Sequence, residues 1–302
     1  MRPALETDGL GVRYRRSWAL RDCSLSVPAG RVAALMGPNG AGKTTLMQAV
    51  VGMLKPTCGS VVVHGEVAFV AQDRPLTERF TAAEMLAFGR RVNSRFDDGA
   101  ARDRLGRLGV PLDRKVGVLS GGQRAQVAIA LALARRPDLL VLDEPLANLD
   151  PLARHDVMRL IMVEVAEREL TVLLSSHVVA DIEETCDWLV MLNDGQVQVS
   201  GDIEELLAGH HVLTGAGGSA ITTAVGAAGV SASRAGRPGE LLVRGEPAPD
   251  PRGQSRRAGL ADLVMGYLRS FESAALSGPG PVIQGWPTLV EQQTGQPSVS
   301  EI

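Results

Sequence analysis

Apolar residues in the first two hundred positions fall into short unbroken runs, separated by stretches of helical periodicity. Residues 31–36 (Arg-Val-Ala-Ala-Leu-Met) run into a Gly-rich turn and read as a buried strand; residues 45–53 behind them read as a helix closed by Gly52, with Pro56 beyond. Residues 67–71, 139–142, 171–174 and 189–192 are further apolar runs of strand length. Apolar strands separated by helices predict a parallel sheet covered on both faces, an α/β architecture. Residues 76–116 break the pattern, carrying helical periodicity and many Arg and Asp residues, and predict a helical insertion. A second break comes near 210. Gly and Ala dominate 215–239, residues 240–244 (Glu-Leu-Leu-Val-Arg) read as a strand, and 259–270 read as an amphipathic helix. From about 273 the chain is rich in Gly, Pro, Ser and Gln and is expected to be a disordered tail. No internal repeat is visible.

Composition narrows this picture. Of 302 residues, 31 are Lys or Arg and 34 are Asp or Glu, giving a net charge of −3. That balance argues against a broad nucleic-acid footprint. Cys23, Cys58 and Cys186 lie far apart, which excludes a disulfide framework or zinc cluster and predicts buried thiols in a reducing compartment. No stretch approaches the roughly 18 apolar residues of a membrane span, and the N-terminus has no signal pattern. A soluble cytoplasmic protein is expected, reaching a membrane only through a partner.

The candidate chemistry starts at the Gly-rich turn. Gly37-Pro-Asn-Gly-Ala-Gly-Lys-Thr44 matches G-x-x-x-x-G-K-[ST] after a predicted strand and before a predicted helix, the context this phosphate-binding pattern requires. Glycines 37, 40 and 42 let successive N–H groups turn toward phosphate oxygens, and the helix adds its positive end. Lys43 is placed to reach terminal phosphates and Thr44 to offer a hydroxyl to Mg²⁺. Downstream, Leu139-Leu-Val-Leu runs into Asp143-Glu144. At a strand end Asp143 can hold Mg²⁺, while strand alternation predicts Glu144 on the opposite side, where it could deprotonate an attacking water.

Leu119-Ser-Gly-Gly-Gln123 is the signature sequence of ABC-type ATPases, and residues 5–208 resemble that superfamily's nucleotide-binding domain. The other hallmarks follow in order: Tyr14 upstream of the loop, Gln72 in Val70-Ala-Gln-Asp73, Asn148-Leu-Asp150, and His177 after Ser175-Ser176. The resemblance implies a P-loop NTPase of ABC type: a mixed, mainly parallel sheet with flanking helices and a helical subdomain (about 74–118), all within 1–209. A small α+β accessory region (210–272) and the tail (273–302) complete the chain. It implies ATP and Mg²⁺ as ligands. Nucleotide contacts fall on Tyr14 (Trp18 being a weaker candidate for the adenine stack), on the loop residues Gly37, Pro38, Asn39, Gly40, Ala41, Gly42, Lys43, Thr44 and Thr45, and on Ser120, Gly121, Gly122 and Gln123. Thr44, Gln72 and Asp143 are the metal-side residues; Lys43, Gln72, Glu144 and His177 are the catalytic ones.

Ser120 can also cap a helix whose body, 127–134, is apolar all round and so buried; its N-terminus is a second anion site. In the family that site binds the γ-phosphate held by a second subunit. The resemblance thus implies a head-to-tail dimer, with Ser120, Gly122 and Gln123 acting across the interface and Asp150 lining it. A separate transmembrane permease is implied as the other partner, placing the chain at the cytoplasmic face of the membrane. Likeness to actinobacterial antibiotic and multidrug exporter subunits, carried by Arg124-Ala-Gln-Val, Ser175-Ser-His-Val-Val and residues 259–269, points to export. The alternative is a non-transport ABC ATPase acting on ribosomes or DNA. Against it stand about eighty residues between Gly37 and Ser120 without sustained heptads, a single nucleotide domain and no basic block. His64, His155, His210 and His211 match no motif; Lys55, Arg135 and Arg136 read as solvated helix ends.

Overall fold

The computed structural model describes residues 2–73, 75–215, 232–234, 240–245 and 253–269. The chain opens with a hairpin, β1 (Pro3–Tyr14) and β2 (Ser17–Pro28), then the fully buried strand β3 (Val32–Met36), which feeds helix α1 (Lys43–Val50). Strand β4 (Cys58–Val63) returns to the far side of β1, so β2, β1 and β4 form an antiparallel sheet. After β5 (Val67–Val70) come α2 (Ala82–Val92), α3 (Asp98–Arg107) and α4 (Gly121–Ala134). Then follow β6 (Leu139–Leu142), α5 (Pro151–Arg168), β7 (Thr171–Ser175), α6 (Val179–Glu183), β8 (Trp188–Asn193) and β9 (Gln196–Asp202). Helix α7 (Ile203–Ala208) leads to β10 (His210–Gly215), β11 (Ala232–Arg234), β12 (Glu240–Arg244), β13 (Gly253–Arg257) and α8 (Leu260–Arg269).

The central sheet has the order β5-β6-β7-β3-β8-β9, parallel except for β9 at one edge. Alternation along its strands sorts side chains onto two faces. Leu35, Leu139, Val141, Leu173, Val190 and Leu192 join Leu46 and Met47 of α1 and the inner face of the antiparallel sheet. Leu140, Leu142, Val172 and Leu174 meet Ile129 and Leu133 of α4 and Val157 and Ile161 of α5 on the other face. Over β3 and β8 that second face is covered differently: Ala34, Met36, Leu189 and Met191 pack with Ile182 of α6, Val212, Leu242, and Leu260, Leu263 and Val264 of α8. The residues after 209 therefore complete the main core.

Residues 76–116 are helical as expected and have a small core of their own, in which Leu86, Leu105 and Val110 meet Val127 and Ala130 of α4. Facing two cores explains why α4 is apolar all round. Buried Glu164 of α5 ties this insertion to the sheet, pairing with Arg104 of α3 and with Arg168 at 3.1 Å.

The structure corrects some expectations. The antiparallel sheet has no counterpart in the apolar runs read from the sequence, because register shifts at several points of the β1–β2 pairing break strict alternation. Cys58 is exposed, since it begins the edge strand β4. Burial does hold for Cys23, whose thiol it pushes up to about 11, while Cys186 is only half-buried, its thiol pushed up to about 12. Helix α1 starts at Lys43 rather than 45, inside the phosphate-loop pattern. The expected tail 273–302, with Trp286, and most of 215–239 lie outside the described residues. Among the described residues no helix is long and apolar enough to cross a membrane.

Candidate functional site

Because β5, β6, β7 and β3 run parallel side by side, the segments leaving their carboxyl ends share one edge of the sheet. In open α/β sheets that edge is where ligands bind. Gln72 follows β5, Asp143 and Glu144 follow β6, Ser176 and His177 follow β7, and the Gly37–Thr44 loop follows β3.

The loop's glycines are demanded by its surroundings. A Cβ at Gly37 would collide with Leu192 O; one at Gly42 would come 2.6 Å from Ala19 O, and Gly42 holds φ +102°, the left-handed region. Gly42 is also the N-cap of α1, so the helix starts at the loop and its free N–H groups face the same space. Lys43 is 8% exposed, and its Nζ donates to Gly37 O at 2.8 Å and Pro38 O at 3.2 Å, which lays the ammonium across the loop. An anion seated on these N–H groups would meet a cation already in place.

Beside the loop, a chain of hydrogen bonds crosses three strand ends. Thr44 Oγ1 donates to Asp143 Oδ2 at 2.8 Å, and Ser175 Oγ donates to Asp143 Oδ1 at 2.8 Å. Ser175 Oγ also accepts from Glu144 N at 2.7 Å, and Glu144 Oε2 lies 2.9 Å from His177 Nδ1. Asp143 is 3% exposed and Ser175 fully buried, whereas the His177 side chain is 63% exposed. The chain thus runs from the core to the surface. It corrects the expectation for Glu144. Strand β6 ends at Leu142 and Glu144 has φ +46°, so a left-handed turn, not strand alternation, sends its side chain to His177.

The remaining candidates divide. Gln72 sits exposed in the turn after β5, one strand over from Asp143. Tyr14 and Trp18 are 48% and 41% exposed at the tip of the β1–β2 hairpin, whose Ala19 and Leu20 abut Gly42. Trp18 carries the Arg13 guanidinium 5.6 Å above its ring. Ser120 caps α4 in a reciprocal box: its Oγ accepts from Gln123 N, and Gln123 Oε1 accepts from Ser120 N, both at 3.1 Å. This signature turn is exposed at Ser120 and half-buried over 121–123, and it starts α4 beside the start of α5, with a Cβ at Gly122 coming 2.8 Å from Ala153. Asp150 is the N-cap of α5, its Oδ1 accepting from Ala153 N at 2.9 Å. The histidines outside the motifs stay apart from the site: His64 faces Glu6, His155 lies beside Asp156, and His210 and His211 begin β10. Arg136 pairs with Asp97 at 3.1 Å. Among the described residues no cluster of three His, Cys, Asp or Glu side chains could hold a metal.

Two residues near the centre carried no role in the sequence reading. Ser175 joins Asp143 to Glu144; its signal was a polar residue directly after the apolar run Val172–Leu174. Arg154 donates from Nε to Leu149 O at 3.2 Å and sits 3.7 Å from Asp181 of α6, tying the Asn148–Asp150 turn to the segment behind His177. Its register on α5 is visible only in three dimensions.

These features meet a consistent set of similarities. The family described as ABC transporter matches residues 20–147. The phosphonates import ATP-binding protein PhnC 2 of Synechococcus sp. is 35% identical over 228 residues, covering 65% of this chain and 84% of its own length. The Nod factor export ATP-binding protein I of Ralstonia nicotianae is 34% identical over 224 residues, covering 68% and 69% respectively. A solved structure of an ATP-binding subunit of an ABC transporter superposes with a TM-score of 0.61 at 28% identity, over 68% of this chain and 92% of that one.

Proposed function

The chain belongs to the family of ABC transporter ATP-binding proteins, and from that premise we propose which of its residues hydrolyse ATP and what the hydrolysis drives. It is an ATPase subunit of an ABC transporter. One observation carries the site assignment: the hydrogen-bonded chain Thr44–Asp143–Ser175–Glu144–His177 beside a loop that Lys43 spans.

In this reading Gly37–Thr45 bind the ATP phosphates, with Tyr14 against the adenine. Thr44 Oγ1 and Asp143 Oδ2, 2.8 Å apart, form an all-oxygen pair suited to a hard cation that keeps several waters. These two, with Gln72, would hold Mg²⁺, which when bound supplies positive charge against the phosphates. Glu144 takes the proton of the water that attacks the γ-phosphorus, and His177 holds the Glu144 carboxylate while its exposed ring meets the phosphate. The Ser120–Gln123 turn, exposed at Ser120 and at the free start of α4, supports a head-to-tail dimer in which it closes on the partner's ATP, with Asp150 at the seam.

We further propose a catalytic unit of residues 1–209, including the helical subdomain 74–118, and an accessory unit of 210–272. The whole works at the cytoplasmic face of the membrane on a separate permease. Export of antibiotics or other drugs is the direction we favour, from the resemblance of Arg124-Ala-Gln-Val, Ser175-Ser-His-Val-Val and residues 259–269 to exporter subunits; the relatives named above include an import and an export subunit. The test is capture of tagged Glu144→Gln protein from mild-detergent membranes with ATP present. A multi-span membrane protein in stoichiometric amount is expected; ribosomal or DNA-associated proteins alone would overturn the transport role.

A further inference from the structure

We propose that Ser175 is a positioning residue of the hydrolytic site, its one hydroxyl fixing both the Asp143 carboxylate and the main chain that aims Glu144 at His177. The proposal rests on the reading of this site as the place of ATP hydrolysis.

A serine hydroxyl has one proton to give and two lone pairs. Ser175 gives the proton to Asp143 Oδ1 at 2.8 Å and takes the Glu144 N–H at 2.7 Å. It lies at the end of β7 with no exposure, so no water competes for either bond. The parallel ladder between β6 and β7 closes at Leu142 and Leu174, leaving Asp143 opposite Ser175 just beyond it. Asp143 N still bonds back to Val70 O. Glu144 has turned left-handed, φ +46°, and its N–H has left the direction of the ladder. A side-chain acceptor has to replace the missing strand partner, and Ser175 supplies it.

The Asp143 carboxylate is held from both sides, Oδ2 by Thr44 at the head of α1 and Oδ1 by Ser175. Two hydroxyls on different elements define its plane. Removing one leaves the carboxylate free to rotate away from Thr44 and leaves a strained turn without its anchor. Alanine at 175 removes only the oxygen and keeps the strand packing. Threonine keeps the hydroxyl and suits a strand.

The experiment is steady-state ATP hydrolysis by the full chain and by Ser175→Ala, Ser175→Thr, Glu144→Gln and Lys43→Ala, with equilibrium binding of a fluorescent ATP analogue in EDTA. Ser175→Ala is expected to lower kcat about 10- to 100-fold with KM changed less than about threefold. Its metal-free nucleotide affinity should stay at the wild-type value, and its half-saturating Mg²⁺ concentration should rise. Ser175→Thr should recover most of kcat. In a Glu144→Gln background at saturating Mg²⁺, where the loss at Asp143 is made good, Ser175→Ala should lower the residual turnover little further, because what remains acts through Glu144. Wild-type kcat in Ser175→Ala, or an equal additional loss in the Glu144→Gln background, overturns the proposal. If Ser175→Ala does not fold, Ser175→Thr decides: turnover near wild type is expected, and a fall to the Glu144→Gln level overturns it. The site reading fails separately, through Lys43→Ala hydrolysing as fast as the wild type.

Discussion

His177 and His210 show how two regions of one chain use the same side chain differently. His177 stands at the carboxyl edge of the central sheet, with Nδ1 on Glu144 and most of its ring in solvent. His210 stands where the accessory strands begin and is 2% exposed; Nδ1 donates to Leu206 O at 2.6 Å and Nε2 faces the Tyr267 hydroxyl at 3.0 Å. At the sheet edge the hydrogen bonds form a line that opens outward, so its end can meet a ligand. Around His210 they close on themselves, joining α7, β10 and α8. A polar chain with an open end is a candidate for chemistry, and one whose partners all lie inside the fold holds elements together.

The strongest way to break this contrast is to remove the cation that spans the loop. Lys43→Ala should lower ATP turnover by more than about 100-fold while the fold melts close to the wild-type temperature. Turnover measured by phosphate release that survives this change would put the chemistry elsewhere. Glu144→Gln comes next. It keeps the size and the hydrogen bond to His177 but loses the base, so turnover should fall about 100-fold or more with ATP still bound. Light scattering should then find an ATP-bound dimer, and a strictly monomeric species would count against the sandwich arrangement.

The accessory unit should answer in stability instead of turnover. Leu263 has no exposure and sits in the cluster that α8 shares with Met36, Leu189 and Met191 of the central sheet. Leu263→Ala should cost about 2–5 kcal/mol of folding stability, measured by urea denaturation. Because the cluster spans both regions, the unfolding curve should shift as one transition. Two separated transitions, with the catalytic sheet unaffected, would mean that α8 is an appendage and not part of the main core.

How far the sequence alone could go follows the same division. The phosphate loop, Asp143 and Glu144 are legible because each follows an apolar strand directly, whereas His177 was legible only through the family resemblance; parallel strands bring all of them to one edge. Ser175 was not legible as a connector, since only the left-handed turn at Glu144 creates the N–H that it accepts. The same turn defeated the argument from alternation about where Glu144 points. Strand β13, Gly-Gln-Ser-Arg-Arg, has no apolar pattern because it lies at the edge of the accessory sheet. Helix α8 was legible from its stripe of Leu260, Leu263, Val264 and Tyr267, but that stripe could not say which surface it covers.

The smallest effect tests the closed end of the comparison through protons. Burial, first among the causes, holds the His210 imidazolium pKa below its ordinary value, the carbonyl of Leu206 opposing and the charges of Arg244 and His211 adding to the fall. In the unfolded chain the ring takes its proton near pH 6.5, about the value of a free histidine. Acidification through that point lets the unfolded chain bind a proton that the folded one still refuses. The contribution of neutral His210 is therefore intact above about pH 6.5 and is lost as pH falls toward the lower folded value, with no further loss beneath it. One proton limits the slope to about 1.4 kcal/mol per pH unit. Urea denaturation of wild type and His210→Gln in matched buffers from pH 8 to pH 5 isolates the term as a difference between two curves. The wild type should lose stability faster across this range, while ATP turnover at each pH should change in parallel for the two proteins. If His210→Gln altered the pH profile of turnover, the polar group closed around His210 would be coupled to the open chain at the sheet edge.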